Sequence, residues 1–318
     1  MMAITTSSSI SVNPLLWFIV LPKISRIRAR SRRVDNTPLA GENQDKCSKR
    51  VLCPDSGVLP ALIFGYNSGT ILGRSEMPKR LAGKVAVVTG ASRGIGRAIS
   101  IALAKEAAQV VLAARSRRGL RETAEQVKNA GGKANIVVTD LTEEDSIKNL
   151  IAVIGKNLGQ LDILVNNAGI THSAKLEETA TADWDRCFQV NARAPFILCR
   201  EALPLLRKAE AAYIINIASV VGIKGYPLQS AYTASKHALR GMTMSLAEEL
   251  KGSKIRVHLL CPGGVDTELV QRVRPDIRKE DLIQPEEIAE LVLYLVTHKG
   301  NAVVDELHIR RAASSPWF

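Results

Sequence analysis

The sequence predicts an α/β protein: a single doubly wound parallel sheet of about seven strands, with helices on both faces, three layers in all. Three observations carry this. From Lys84 onward, short β-branched runs alternate with segments of helical composition, the order that builds βαβ units. The first run, Val85-Ala-Val-Val-Thr89, passes at once into a glycine-rich turn and a helical segment. Further on, a long helical segment carries Tyr232 and Lys236 four residues apart.

Taken in order, Val85–Thr89 is a short apolar run bounded by Gly and reads as a buried strand. Gly90-Ala-Ser92-Arg93-Gly94-Ile95-Gly96 then leads into a helix over Arg97–Ala108. Its glycines let the chain turn tightly and let a pyrophosphate approach a helix N-terminus, where free N–H groups and the helix dipole favour negative charge. A βα turn with no ligand is the plainer alternative. The second strand, Gln109–Ala114, ends in Arg115. In dinucleotide folds an acid near this point holds the ribose 2′-hydroxyl of NAD, whereas an Arg accommodates the 2′-phosphate of NADP. No acid stands there, and Arg93 and Arg115 can each pair with a phosphate, so NADP(H) is favoured over NAD(H). Solvated surface charge is the bland reading of both.

An amphipathic helix over Arg117–Ala130 stops at Gly131-Gly132, and Lys133–Thr139 reads as the third strand. Asp140 at its end can accept from an adenine amino group or cap the helix starting near Thr142. The fourth strand, Leu161–Val165, is closed by Asn166-Asn167-Ala168-Gly169, whose small side chains suit a backbone lying against a flat ligand. Tyr213–Ile217 and Ile255–Leu260 are the fifth and sixth strands, and a last one follows Val304.

Ser230–Leu250 reads as one helix, with a single Gly, no Pro and a stop at Lys251-Gly252. Residues four apart share a helix face, about 5–6 Å between Cβ atoms. A phenol titrates near about 10, and the Lys236 ammonium beside it is expected to lower that value. The pair can thus give a proton to a carbonyl oxygen. Taken alone, it is also a common accident of amphipathic helices.

The chain has 318 residues and a formal charge of +12, unevenly placed: residues 1–80 hold 12 Lys/Arg against 5 Asp/Glu. The body carries no basic block interleaved with aromatics, which argues against nucleic acid. The first 34 residues contain no acid and are rich in Ser and Arg, the composition of an organelle transit peptide, plastid before mitochondrion. Their apolar run, Leu15–Leu21, is far shorter than the ~20 residues that span a bilayer, so no membrane segment is expected. Residues 1–80 are read as leader and disordered linker, and 81–318 as the catalytic domain. The five scattered cysteines show neither a metal spacing nor a disulfide framework and are read as buried thiols.

In this order and at these distances, Thr89-Gly-Ala-Ser-Arg-Gly-Ile-Gly96, Asn166-Asn-Ala-Gly169 and Tyr232-x-x-x-Lys236 resemble the short-chain dehydrogenase/reductase family over residues 81 to about 310. The resemblance implies a three-layer Rossmann fold and assigns further positions. Ser219, after the fifth strand, would bind the substrate carbonyl. Asn191 would hold a water in a proton relay to Lys236, and Lys236 would bond the nicotinamide ribose. Pro262-Gly263-Gly-Val265-Asp-Thr267 would pack the nicotinamide, with Val265 and Thr267 as contacts. Tyr232 would protonate the carbonyl oxygen as hydride arrives from NADPH.

Lys84–Gly96 is similar to 3-oxoacyl-[acyl-carrier-protein] reductases, but where those end in a strand and an Asn-Gly-Gly turn this chain continues Ile309-Arg-Arg-Ala-Ala-Ser. That leaves a general aldehyde, ketone or quinone reductase open, and an NAD-linked alcohol dehydrogenase beside it. A cofactor-sensing scaffold typically loses the Tyr, the Lys or a loop glycine, and all remain here. Residues 268–284 are expected to cover the pocket. They carry no aromatic ring for a steroid, and Arg272, Arg274, Arg278 and Lys279 can draw an acidic partner such as acyl carrier protein or simply face solvent. The family's habit implies a homo-oligomer, tetramer or dimer, packed through helices near Asp183–Lys208 and Ser230–Leu250, with Trp317-Phe318 as a further contact.

Overall fold

The computed structural model describes residues 79–316. The transit and linker readings, Cys47, Cys53 and Trp317-Phe318 lie outside the described residues.

Seven strands, β1 (Val85–Thr89), β2 (Gln109–Ala114), β3 (Lys133–Val138), β4 (Ile163–Asn166), β5 (Ala212–Ile217), β6 (Ile255–Pro262) and β7 (Glu306–Ile309), form one sheet in the order β3-β2-β1-β4-β5-β6-β7. Every pair is parallel. The eight α-helices of the described residues are α1 (Gly94–Lys105), α2 (Arg117–Asn129), α3 (Glu144–Leu158), α4 (Thr181–Phe188), α5 (Ala194–Leu206), α6 (Ser230–Glu249), α7 (Glu268–Val273) and α8 (Pro285–Thr297). None is long and apolar enough to cross a membrane.

The central strands read as unbroken apolar runs because both of their faces are covered. Successive side chains point to opposite faces. Ala86, Val88, Val110 and Leu112 pack with Ile99, Leu103, Leu120 and Val292 of α1, α2 and α8. Val85, Val87, Val111 and Leu164 pack with Ile147, Leu150, Ile197 and Leu246 of α3, α5 and α6.

The strand order reverses between β1 and β4, so the loops leaving their C-terminal ends run apart and open a crevice there. At the opposite edge, buried Asp162 joins the same two strands. Its carboxylate accepts from the Val85 N–H (2.9 Å), Lys84 Nζ (2.9 Å) and Gln160 Nε2 (3.0 Å). Asp162→Ala strands a buried amide and should lower stability by about 2–4 kcal/mol, read as a shift in the urea midpoint; a shift below about 1 kcal/mol would mean that water replaces the carboxylate.

A buried polar chain sets the height of α6 against the sheet. Asn166 Nδ2 donates to Asn216 Oδ1 (2.8 Å), Asn216 Nδ2 to Thr243 Oγ1 (2.8 Å), and Thr243 Oγ1 to the Leu239 carbonyl (2.7 Å). On the outer side, Arg240 of α6 grips Glu306 of β7 through both carboxylate oxygens.

Candidate active site

The glycine turn is shaped by what presses on it. Gly90 sits at φ +66°, where a side chain is strained, and a Cβ there would lie 2.8 Å from Asn167 Nδ2. A Cβ on Gly96 would stand 2.4 Å from the Gly90 carbonyl oxygen and 2.5 Å from Asn167 Nδ2. Thr89 fastens this turn to the loop after β4: its hydroxyl donates to the Val165 carbonyl and accepts from the Asn167 and Ala168 N–H groups, while Asn167 Nδ2 donates to the Thr89 carbonyl. Helix α1 begins at Gly94, three residues before the sequence reading placed it, and Arg93 offers no side-chain cap. The first-turn amides therefore have no partner within the helix and face the crevice.

A cavity of about 1030 Å³ occupies the crevice. Its walls include Gly90, Ser92, Arg93, Gly94 and Ile95 of the turn, Arg115 and Asp140 from the ends of β2 and β3, and Asn167, Ala168 and Gly169 after β4. Ser219, Tyr232 and Lys236 line it, as do Pro262, Gly263, Val265 and Thr267 after β6. Three expected residues do not. Gly96 lies under the turn, where its missing side chain permits the close packing just described. Asn166 is buried, its amide directed into the polar chain beneath α6. Asn191 is fully buried; its side chain accepts from the Ile170 N–H (2.9 Å) and donates to the Ile170 carbonyl (2.9 Å) and Ser235 Oγ (2.9 Å).

Asn191 is thereby a positioning residue whose amide is committed to protein. It stands in a π-helical turn, Gln189–Arg193, between α4 and α5. The residue four places on is Pro195, which has no N–H to give, so the Asn191 carbonyl has no α-helical partner. The backbone, not the amide, is what this residue can offer a relay. Pro195 was the signal in the sequence.

Lys236 is 3 % exposed and donates to the Ile217 carbonyl (2.9 Å). Gly169 makes room for it, since a Cβ there would meet both Lys236 Nζ and Asn191 Oδ1 at 3.3 Å. Burial pulls the Lys236 ammonium down to about 8. The partly buried Tyr232 departs from the sequence expectation: burial pushes its phenol up to about 12, and the neighbour that lowers it is the Ser219 hydroxyl, not the Lys236 charge. Desolvation loosens the amine's hold on its proton, and the amine is turned toward the Ile217 carbonyl. A phenol held protonated is a loaded proton donor.

Arg93 is not free. It pairs with Glu268 at the start of α7, across the mouth of the cavity. Thr142 holds the Asp140 carboxyl below its usual range through its N–H and hydroxyl, with Arg115 and Arg186 adding to the effect. Asp140 thus closes a turn ahead of α3 and does not cap the helix itself. Arg186 of α4 also lines the cavity, and nothing in its own segment of sequence marked it. The segment after β6 forms α7, whose start Thr267 caps by accepting from the Val270 N–H. Most of its charge is internally paired: Arg274 with Asp276, Arg278 with Asp281, Lys279 with Asp266.

The three described cysteines, Cys187, Cys199 and Cys261, are buried free thiols. Strand pairing sets Cys261 opposite His308 and near Glu306, a cluster no sequence spacing announced. Its carboxylate is held by Arg240.

Fold and cavity together define a doubly wound α/β protein with a crevice at the C-terminal ends of its strands. The chain belongs to the short chain dehydrogenase family, whose model matches residues 84–278. It is 34% identical over 236 residues to a 3-oxoacyl-[acyl-carrier-protein] reductase of Thermotoga maritima, covering 72% of this chain and 96% of that one. It is 38% identical over 211 residues to a 3beta-hydroxysteroid dehydrogenase of Mediterraneibacter gnavus, covering 66% of this chain and 74% of that one. Among solved structures, a metagenomic short-chain oxidoreductase in complex with NADP is similar with a TM-score of 0.65 and 36% identity, over 74% of this chain and 100% of the other.

Proposed function

We propose that this oxidoreductase is an NADPH-dependent carbonyl reductase. The observation that carries this reading is the convergence of Ser219, Tyr232 and Lys236 on one cavity that also takes in an uncapped helix N-terminus, Arg93 and Arg115. The cavity fits a dinucleotide: uncapped amides and the Arg115 guanidinium suit phosphates, Arg93 can join them by leaving Glu268, and Ala168 and Gly169 leave room for a flat ring. Bound NADPH would supply the hydride. Ser219 and Tyr232 hold the carbonyl oxygen, Tyr232 releases its phenolic proton to that oxygen, and Lys236 offsets the charge left behind. Steady-state NADPH oxidation with a short 3-oxoacyl thioester, simple aldehydes and quinones tests this; no turnover on any of them would sink it.

Coenzyme choice rests on Arg115. Arg115→Asp should lower the ratio of kcat/KM for NADPH over NADH by about 10- to 100-fold, the worth of one charge-assisted contact. An unchanged ratio would remove Arg115 from the coenzyme site. The pH profile carries its own sign. Tyr232 stays protonated up to about 12, whereas the Lys236 ammonium is lost above about 8, so kcat/KM for reduction should fall as pH rises through about 8. A flat profile from pH 7 to 9.5 would speak against a charged Lys236 in the working enzyme.

Similarity to the Thermotoga maritima reductase supports a 3-oxoacyl thioester as substrate, and the Arg310-Arg311 tail at the cavity favours a different small carbonyl compound. An acyl carrier protein remains a proposed partner, weakened by the internal pairing of charge around α7. Exposed Trp184, Phe196 and Met244 on α4, α5 and α6 support a homo-oligomer formed through those helices. Plastid targeting, with the mitochondrion second, is proposed from the acid-free leader, and a fluorescent fusion of residues 1–80 would test it.

A further inference from the structure

The chain after β7 reads Arg310-Arg311-Ala-Ala-Ser314, and it does not leave the molecule. The Ile309 carbonyl accepts from the Gly263 N–H (2.7 Å). A Cβ on Gly263 would lie 3.6 Å from the Arg311 nitrogen, and one on Gly264 3.3 Å from Arg311 Cδ. The two glycines after β6 therefore seat the tail, and Arg311 lines the same cavity as Ser219 and Tyr232.

Other cations on this side are spoken for. Arg310 is spent on the tail itself, donating to the carbonyls of Arg311, Ala312 and Ser314. Arg274 gives Nε and Nη2 to the two oxygens of Asp276 (2.8 and 2.6 Å). Lys279 reaches Asp266 (3.6 Å). The Arg311 side chain, by contrast, is partly buried and has no hydrogen-bond acceptor among the described residues. Asp276 lies within its electrostatic reach, but no hydrogen bond joins the two, and both oxygens of that carboxylate face Arg274. A planar guanidinium held in a cavity wall with its donors unmatched is complementary to a carboxylate or phosphate, which it can bind through two parallel hydrogen bonds.

We propose that Arg311 recognises an anionic group, carboxylate or phosphate, carried by the carbonyl substrate, so that this enzyme selects acidic carbonyl compounds over their neutral counterparts. This rests on the reading of the cavity as a carbonyl reductase site. Arg311 sits on the tail after β7 and is a different group from Arg115 and the first-turn amides of α1, which are read as the coenzyme's phosphate partners.

Two substrate pairs test it with the full chain and NADPH: 4-carboxybenzaldehyde against its methyl ester, and 3-oxobutyryl-coenzyme A against the neutral N-acetylcysteamine thioester. The first pair isolates a carboxylate and the second a phosphate source. The acidic member of at least one pair should be favoured about 10- to 100-fold in kcat/KM, mainly through KM. Arg311→Gln should bring that ratio near one, and Arg311→Lys should restore part of it. Turnover of both members at equal efficiency, or a preference that survives Arg311→Gln, overturns the assignment and leaves the reductase standing. No NADPH oxidation with any of the four removes both. The wild-type ratio needs no variant, so a misfolded substitution does not protect the proposal.

Discussion

Tyr232→Phe should lower kcat by about 100- to 10,000-fold while NADPH still binds, as followed by coenzyme fluorescence. The substitution keeps the ring and its packing and deletes one hydroxyl, at the cavity wall that Ser219 shares. Burial holds that hydroxyl protonated, so the loss is one of a proton and an oxyanion donor, not of a structural contact. The effect should fall on kcat and kcat/KM alike, because the interaction matters most as charge develops on the substrate oxygen. Turnover within about threefold of wild type would end the proton-donor assignment.

Gly96→Ala should do comparable damage by another route. The new methyl would lie 2.4 Å from the Gly90 carbonyl oxygen and 2.5 Å from Asn167 Nδ2. Neither can retreat freely: Gly90 is fixed in a left-handed turn, and Asn167 Nδ2 is held by the Thr89 carbonyl (2.8 Å). Overpacking of this kind costs about 1–3 kcal/mol in ordinary cores and more where both neighbours are rigid. A loss of about 3 kcal/mol or more, some 6–12 °C in Tm, is expected, together with loss of the thermal shift that NADPH confers. Gly155→Ala is the control. It stands in α3 with Leu205 at an ordinary 3.6 Å, so it should be neutral or stabilising by up to about 1 kcal/mol. If Gly96→Ala behaves like Gly155→Ala, the turn is looser than its geometry states.

The strands were legible because both faces of the sheet are covered, which leaves Val-Ala-Val-Val and Gln-Val-Val-Leu as uninterrupted runs with turns at their ends. Helix α1 starts three residues earlier than its composition indicates, because Gly94 and Gly96 weaken the helical signal in its first turn. The motifs located the cavity but not every side chain in it. Asn166 and Asn191 carry amides whose direction depends on partners far away in the chain, Asn216 and Ser235. The phenol's acidity was misjudged for a related reason: spacing shows that Lys236 is near, and only the fold shows how little water reaches either group. The pairing of basic residues around α7 was hidden likewise, since Asp266 and Lys279 meet only once the segment folds back.

The buried chain of hydrogen bonds from Asn166 through Asn216 and Thr243 to the Leu239 carbonyl has a bearing on the candidate site that its burial conceals. It indexes the helix bearing Tyr232 and Lys236 against two strands at a single axial setting, because a slip by one residue would unmake several dry hydrogen bonds together. The positions of Tyr232 and Lys236 are thus fixed by the buried interior and not by the loops around the mouth. The setting of that helix and the shape of the cavity mouth are thereby governed by separate parts of one molecule.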